Sequence, residues 1–360
     1  MRSKSTNVNF AEQTIYVGID VHKKSWKVTL RSKHHHLKTF SQNPDPDLLV
    51  RHLNQKYSGA TFKAVYEAGF CGFYPCRRLI DLGVDCKVVH PMDIPRSNKD
   101  KVLKTDAIDS RKLCGLLFNT DQQYIHIPDE ELESDRALLR QRYRMVRDLA
   151  RTKNRLKSLF FQMGIKVPDQ FQGAPSRQWS AKYLEWVDQM EVNHPSIKLA
   201  IDRYIELGKR QKEQLKACNK VLVKVSQKSR YTKDCELLRS IPGIGKLTAM
   251  MLLFQFGDIR RFKTLDKLCF YIGLVPKVYS SGDNQKTGRM IKRGRREIKV
   301  HLIESAWVAV RKDPALTLKF NELCLKMNKN KAIIRIVRKL LSRIRYVLMN
   351  KEPYQIGIVK

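Results

Sequence analysis

Residues 14–31, TIYVGIDVHKKSWKVTLR, constrain the fold more than any other stretch. Ile15 to Ile19 form a short, almost uninterrupted apolar run ending at Asp20. Trp26, Val28 and Leu30 then alternate with Ser25, Lys27, Thr29 and Arg31. An apolar run reads as a strand covered on both faces, and strict alternation as a half-buried antiparallel strand. HHLKTFS supplies a third strand after a solvated turn at His34–His36. Beyond it come a helix in PDLLVRHLNQKY, a strand in TFKAVYEAGF with Glu67 at its end, a helix closed by Gly83 and a strand stopped by Pro91. After the basic loop RSNKDKVLK, the stretch KTDAIDSRKLCGLL reads as a further helix. The order β, β, β, α, β, α, β, α predicts an α/β domain over residues 15–125, preceded by an arm at 1–14. In such sheets functional groups collect beyond the carboxyl ends of the strands.

Acidic residues stand out because the chain is so basic: 70 Lys and Arg against 35 Asp and Glu, a formal charge of +35. Such an excess points to a polyanion, nucleic acid before an anionic membrane surface, since phosphates release counterions to many cations at once. Asp106 and Asp109, three residues apart, share one face at the start of their helix. Capping alone would account for that pair. Asp20 and Glu67, each at a strand end, add two more carboxylates from distant segments. Four carboxylates at one sheet edge are costly without a cation, and oxygen donors suit a hard ion such as Mg²⁺. No stretch of eighteen apolar residues and no apolar signal core is present, so the chain is expected in the cytoplasm, away from membranes. The eight cysteines form no CxxC pair and read as free, mostly buried thiols.

Residues 126–235 read as a long helical, coiled-coil region. Leu138, Leu139, Tyr143, Val146, Leu149, Leu156 and Phe160 recur at three- and four-residue steps from Glu131 to Gly164. A Pro- and Gly-rich break follows, and a second helical run spans Ser196 to Lys228, with Gly208 as a weak point. The pair suits a hairpin, a dimerising coiled coil, or both.

Residues 236–350 read as a mainly helical domain, with a tail at 351–360. SIPGIGK has the pattern of a helix-hairpin-helix, in which Gly243, Gly245 and Lys246 would grip one phosphate without reading bases; a tight interhelical corner is the alternative. The spacing of its glycines is too short for a P-loop, so ATP hydrolysis is not supported. Further on, SSGDNQKTGRMIKRGRR reads as a basic loop. Lys286, Arg289, Lys292, Arg293, Arg295 and Arg296 are its candidate phosphate contacts, and Gly282, Gly288 and Gly294 would let it approach a backbone closely. By spacing alone Ser280 and Ser281 are ordinary loop residues.

IDVHKKSWKVTL, AVYEAG and KTDAIDSRKL, followed in order by SIPGIG, GLVP and SSG, resemble the motifs of the DEDD transposases of RNA-guided insertion sequences and of the related Piv-type DNA invertases. The resemblance covers about residues 15–345. It implies an RNase H-like, RuvC-like first domain using Asp20, Glu67, Asp106 and Asp109 with Mg²⁺. It also implies a second domain in which Ser281, immediately before Gly282, is the nucleophile. The family's usual Glu-Ala-Thr-Gly run stands here as Glu67, Ala68, Gly69 and Phe70, which removes a hydroxyl but no charge. The implied function is a DNA transposase or site-specific recombinase acting through a phosphoserine link on double-stranded donor and target DNA. A structured non-coding guide RNA and a homodimer or homotetramer are expected with it. A Piv-like invertase, a junction-resolving nuclease without a covalent intermediate and a non-catalytic nucleic-acid scaffold are the alternatives.

Overall fold

The computed structural model describes residues 10–95, 105–173, 177–281, 284–291, 294 and 296–356. The chain divides into two compact units, Met1–Pro128 and Asp129–Lys360.

The first unit follows the strand and helix order read from the sequence: β1 (Thr14–Val21), β2 (Trp26–Arg31), β3 (His36–Gln42), α1 (Pro46–Lys56), β4 (Thr61–Glu67), α2 (Tyr74–Asp81), β5 (Asp85–Val89) and α3 (Asp106–Leu116). The sheet order is β3-β2-β1-β4-β5. β1, β2 and β3 pair antiparallel, while β4 runs parallel to both β1 and β5. This mixed sheet is consistent with an RNase H-like domain. On one face Ile15, Val17 and Ile19 pack with Leu49 and Leu53 of α1 and with Cys76 and Leu79 of α2. The other face carries α3, so β1 is covered on both sides and its apolar run follows.

Three features hold α3 to the sheet. A Cβ on Gly18 would lie 2.1 Å from the Ser110 carbonyl oxygen and 2.4 Å from the Cys114 nitrogen, so the helix rests directly on β1. The hydroxyls of Ser110 and Thr29 share a buried hydrogen bond of 2.8 Å. The Cys114 thiol donates to the Tyr16 carbonyl at 3.3 Å. Thr29 is therefore fully buried, whereas the alternation of β2 placed it toward solvent.

The second unit begins with α4 (Glu130–Gln162) and continues through α5 (Ala181–Gln189), α6 (Pro195–Val225), α7 (Ser229–Arg239), α8 (Lys246–Phe256), α9 (Leu265–Ile272), β6 (Pro276–Ser281), β7 (Asn284–Met290), α10 (Arg296–Lys312), α11 (Pro314–Lys326) and α12 (Lys329–Asn350). α4 and α6 pack antiparallel within the chain: Leu156 and Phe160 meet Ile201 and Ile205 in one cluster, and Leu132 and Leu139 share another with Cys218 and Leu222. Gly208 does not weaken α6. The Trp179 indole lies where its Cβ would be, at 2.1 Å, and the helix continues without a break. The larger core surrounds α8, whose residues from Ala249 to Phe256 are all buried, as expected of a helix that is apolar all round.

All eight cysteines are free and six are buried. Among the described residues no helix is long and apolar enough to cross a membrane.

Candidate metal centre and nucleic-acid interface

Sheet register brings the acidic residues together. Ile19 and Tyr66 are the last paired residues of β1 and β4, so Asp20 and Glu67 follow them at neighbouring carboxyl ends. Side chains alternate along a strand. Asp20 thus shares the face of Gly18, which is pressed against α3, and Glu67 shares the face of Val65, which clusters with Leu113 and Leu116 of α3. α3 runs antiparallel to β1, with Cys114 over Tyr16 and Ser110 over Gly18, and its first turn, with Asp106 and Asp109, reaches the level of Asp20.

Thr105, not an aspartate, caps α3: its hydroxyl accepts from the Ile108 amide at 3.4 Å. Both first-turn carboxylates are therefore free of capping duty. His22 occupies the space between two of the acids, its Nε2 3.1 Å from Asp20 Oδ2 and 3.6 Å from Asp106 Oδ1. One ligand atom each from Asp20, His22 and Asp106 lies within 4.8 Å of the others. Burial raises the Asp20 carboxyl above the usual carboxylate range; His22 opposes this, and the negative charges of Asp106 and Asp109 add to it. Asp20 is 19% exposed and Asp106 65%, so the cluster is anchored at one end and open to solvent at the other. Oxygen donors crowded at this cost suit a hard divalent cation, and an imidazole beside them also tolerates a softer one such as Mn²⁺.

Neither Gly18 nor His22 was singled out by the sequence reading. His22 carries a signal, since it stands two residues beyond Asp20 and just past the end of β1, where continued alternation puts it on the same face. Gly18 carries only a weak one, a glycine inside an apolar strand, which marks close backbone approach. Gly18→Ala is expected to destabilise the chain by about 1–3 kcal/mol through overpacking. It should lower metal-dependent activity more than Asp20 alone would explain, because Asp106 and Asp109 ride on the displaced helix. Gly115→Ala, with nothing within 4 Å of the added Cβ, should be neutral to mildly stabilising. Denaturant melts of the two variants check this, and equal stabilities would disprove the close-approach argument.

In the second unit Ser281 ends a strand. β6 and β7 form an antiparallel hairpin in which Ser280 pairs with Gln285 and Ser281 with Asn284. Among the described residues of the stretch read as a basic loop, Ser280, Ser281 and Asn284–Met290 thus belong to paired strands. The cause lies in KVYSS and NQKTGRM, strand-compatible runs on either side of a two-residue Gly-Asp connection. For Ser281, Lys286 and Arg289 the structure describes the backbone alone, and Gly282, Lys292, Arg293 and Arg295 lie outside the described residues. Arg296 is the exposed first residue of α10. Gly294, at φ 77°, does approach a backbone closely, and that backbone is the end of α9: its Cβ would lie 2.5 Å from the Ile272 carbonyl oxygen. Gly243, at φ 89°, rests on the Ser305 carbonyl of α10, which accounts for the missing side chain there. Gly245 is exposed with open space around it, and α8 starts there without a side-chain cap, Lys246 being its first residue.

Comparison with known proteins places both units beside the same group. Residues 17–164 match the DEDD model of the IS110 group, described as Transposase, and residues 235–321 match the family described as Transposase IS116/IS110/IS902 family. The first stretch includes Asp20, Glu67, Asp106 and Asp109, and the second includes Gly243 and Ser281. A putative transposase y4qE of Sinorhizobium fredii is 28% identical over 72% of this chain and 60% of its own length. The transposase for insertion sequence element IS1533 of Leptospira borgpetersenii is 28% identical over 69% of this chain and 71% of its own. The transposase for insertion sequence element IS1111A of Coxiella burnetii is 25% identical, over 78% and 76% respectively.

Proposed function

We propose that this chain, which belongs to the IS116/IS110/IS902 transposase family, cuts, exchanges and rejoins DNA strands through a phosphoserine link formed by Ser281. The observation that carries the reading is the meeting of Asp20, His22 and Asp106, with Asp109 and Glu67 alongside, in so basic a protein. Asp20, Glu67, Asp106 and Asp109 would hold Mg²⁺, with His22 orienting Asp20 and Asp106. When bound, the ion supplies charge stabilisation to the oxygens around the reacting phosphorus.

Ser281 Oγ attacks the phosphorus and forms a serine phosphodiester, while the displaced ester oxygen takes a proton and leaves as a hydroxyl on the cut end. A hydroxyl from another strand then attacks the same phosphorus, restoring a DNA phosphodiester and returning the proton to Ser281. One bond is made for each bond broken, so no ATP is required. Lys286, Arg289, Lys292, Arg293, Arg295 and Arg296, with Gly243, Gly245 and Lys246, are the proposed backbone contacts, positioning DNA without reading its bases. Double-stranded donor and target DNA, a structured guide RNA and a homodimer or homotetramer complete the proposal. The guide RNA rests on the motif resemblance, since a charge of +35 suits either nucleic acid equally.

The test uses end-labelled DNA spanning the junction of the mobile element and its flanking sequence, with the element's own RNA and Mg²⁺ present. Rejoined strands of new length are expected, and a chelator should abolish them. Free ends without rejoining would replace this reading with a junction-resolving nuclease, and rejoining that persists in chelator would remove the metal from it.

A further inference from the structure

Beside His22 a cleft of about 270 Å³ opens between the end of β1 and the start of α2, on the edge of the acidic cluster. Trp26, 2% exposed, and Pro46 lie in its lining, with Phe70, Tyr74, His22 and Lys23 around them. Two features set it apart from an ordinary surface crevice. Phe70 is 63% exposed and Tyr74 65%, two large rings left in water in the lining of one opening. None of the lining residues is acidic, although one of them, His22, lies against Asp20 and Asp106. The Lys23 ammonium stands 5.8 Å from the Phe70 ring centroid, a weak contact on a flexible stem.

We propose that this cleft takes one unpaired nucleobase of the DNA strand beside the phosphodiester being cut, stacked on Phe70 and Tyr74, with Lys23 turning to the adjoining backbone phosphate. The proposal rests on the reading of the carboxylates as the cutting centre. A planar, apolar-faced, anion-bearing ligand matches what the lining offers: ring faces for a base, an ammonium for its phosphate and no competing carboxylate. Stacking on aromatic side chains tolerates any base, because each presents a π-face. A paired base inside a duplex has both faces covered by its neighbours, so the strand must present an unpaired or flipped base to the rings. That would hold one nucleotide in place while its neighbouring phosphate reaches Asp20 and Asp106.

The probe is a short DNA duplex with a central unpaired tract carrying 2-aminopurine, whose fluorescence falls on stacking. It is titrated with the full chain in Ca²⁺, so that no turnover is required. Wild type should quench the probe. Phe70→Ala and Tyr74→Ala should each weaken binding of the unpaired probe about tenfold and relieve the quench, within the range for base stacking. Both variants should bind the fully paired duplex within twofold of wild type and melt at the wild-type temperature, since both side chains are exposed. Phe70→Tyr and Tyr74→Phe should restore the quench. Equal losses on paired and unpaired DNA, an unquenched wild-type probe, or tighter Phe70-dependent binding of the matching RNA strand would each overturn the assignment. Asp106→Asn separates this from the cutting centre: it should still quench the probe in Ca²⁺, and normal cleavage by it would refute the carboxylate reading while leaving the cleft to be judged by its own fluorescence.

Discussion

Asp106→Asn should leave the fold and most DNA affinity intact while lowering strand cleavage by roughly 10²–10³-fold or more, as for the loss of one preorganised charge from a reacting centre. The fold should survive because Thr105, not Asp106, caps α3, and Asp106 is 65% exposed. Removing an acid from a first helical turn costs about 0.3–1 kcal/mol. Relief of Asp20 works the other way. Burial and the neighbouring acids raise the Asp20 carboxyl, so the folded chain holds that proton more tightly than the unfolded chain does. Ionising Asp20 therefore opposes folding. The opposition is absent below its unfolded value and complete above its raised folded value. Taking away the Asp106 charge removes one contributor, and the melting temperature without divalent ions should stay level or rise. With Mg²⁺ the wild type should gain thermal stability, because the cation binds the native cluster and not the unfolded chain, and the variant should gain less. Cleavage within fivefold of wild type by a folded Asp106→Asn chain would exclude Asp106 from the centre.

Much of this arrangement is legible in the amino-acid sequence, and the physical reasons differ by element. The strands of the first unit announce themselves through period-two alternation and apolar runs, and strand ends are where α/β sheets expose polar groups, so Asp20 and Glu67 could be paired before any coordinates. Asp106 and Asp109 could be placed on one helix face. What alternation could not convey was the distance between that helix and the sheet. Gly18 sets that distance, and the partner that makes it necessary, the backbone at Ser110 and Cys114, lies about ninety residues away in the chain. Thr29 is buried for the same tertiary reason.

In the second unit composition misled where local pattern did not. The density of Lys and Arg between Ser281 and Val300 suggested a loop, yet the backbone pairs as β6 and β7 because strand propensity and a two-residue connection act locally, whatever the charge. Gly208 reads as a weak point of its helix, Gly243 as part of a phosphate-gripping turn and Gly294 as a place of close approach to a nucleic-acid backbone. Gly208, Gly243 and Gly294 are instead points of contact, against Trp179, Ser305 and the end of α9. Missing side-chain volume is visible in a sequence, but the neighbour that uses it is not.

The largest effect should come from Ser281→Ala, which is expected to bind DNA and Mg²⁺ yet form no covalent protein–DNA species. Ser281 is the last residue of β6, paired with Asn284 of β7, and immediately precedes Gly282 in the sequence. A serine hydroxyl is a weak nucleophile until its proton is taken or its developing alkoxide is stabilised. His301, the nearest histidine in sequence, belongs to α10, where its ring packs 6.0 Å from that of Tyr143 and its Nδ1 lies 3.4 Å from Glu304. Burial lowers its basicity. These partners make it an element of helix packing. If the hydroxyl is the attacking atom, its removal deletes the covalent step outright instead of weakening it by a few fold. The measurement is a denaturing gel with end-labelled DNA and the element's RNA, followed by peptide mapping of any retained label. Ser280→Ala, altering the residue paired with Gln285, should retain adduct. Full adduct from Ser281→Ala would refute the assignment, and label mapped to Ser280 would move the nucleophile by one residue, to the other side of the pleat, with the chemistry otherwise unchanged.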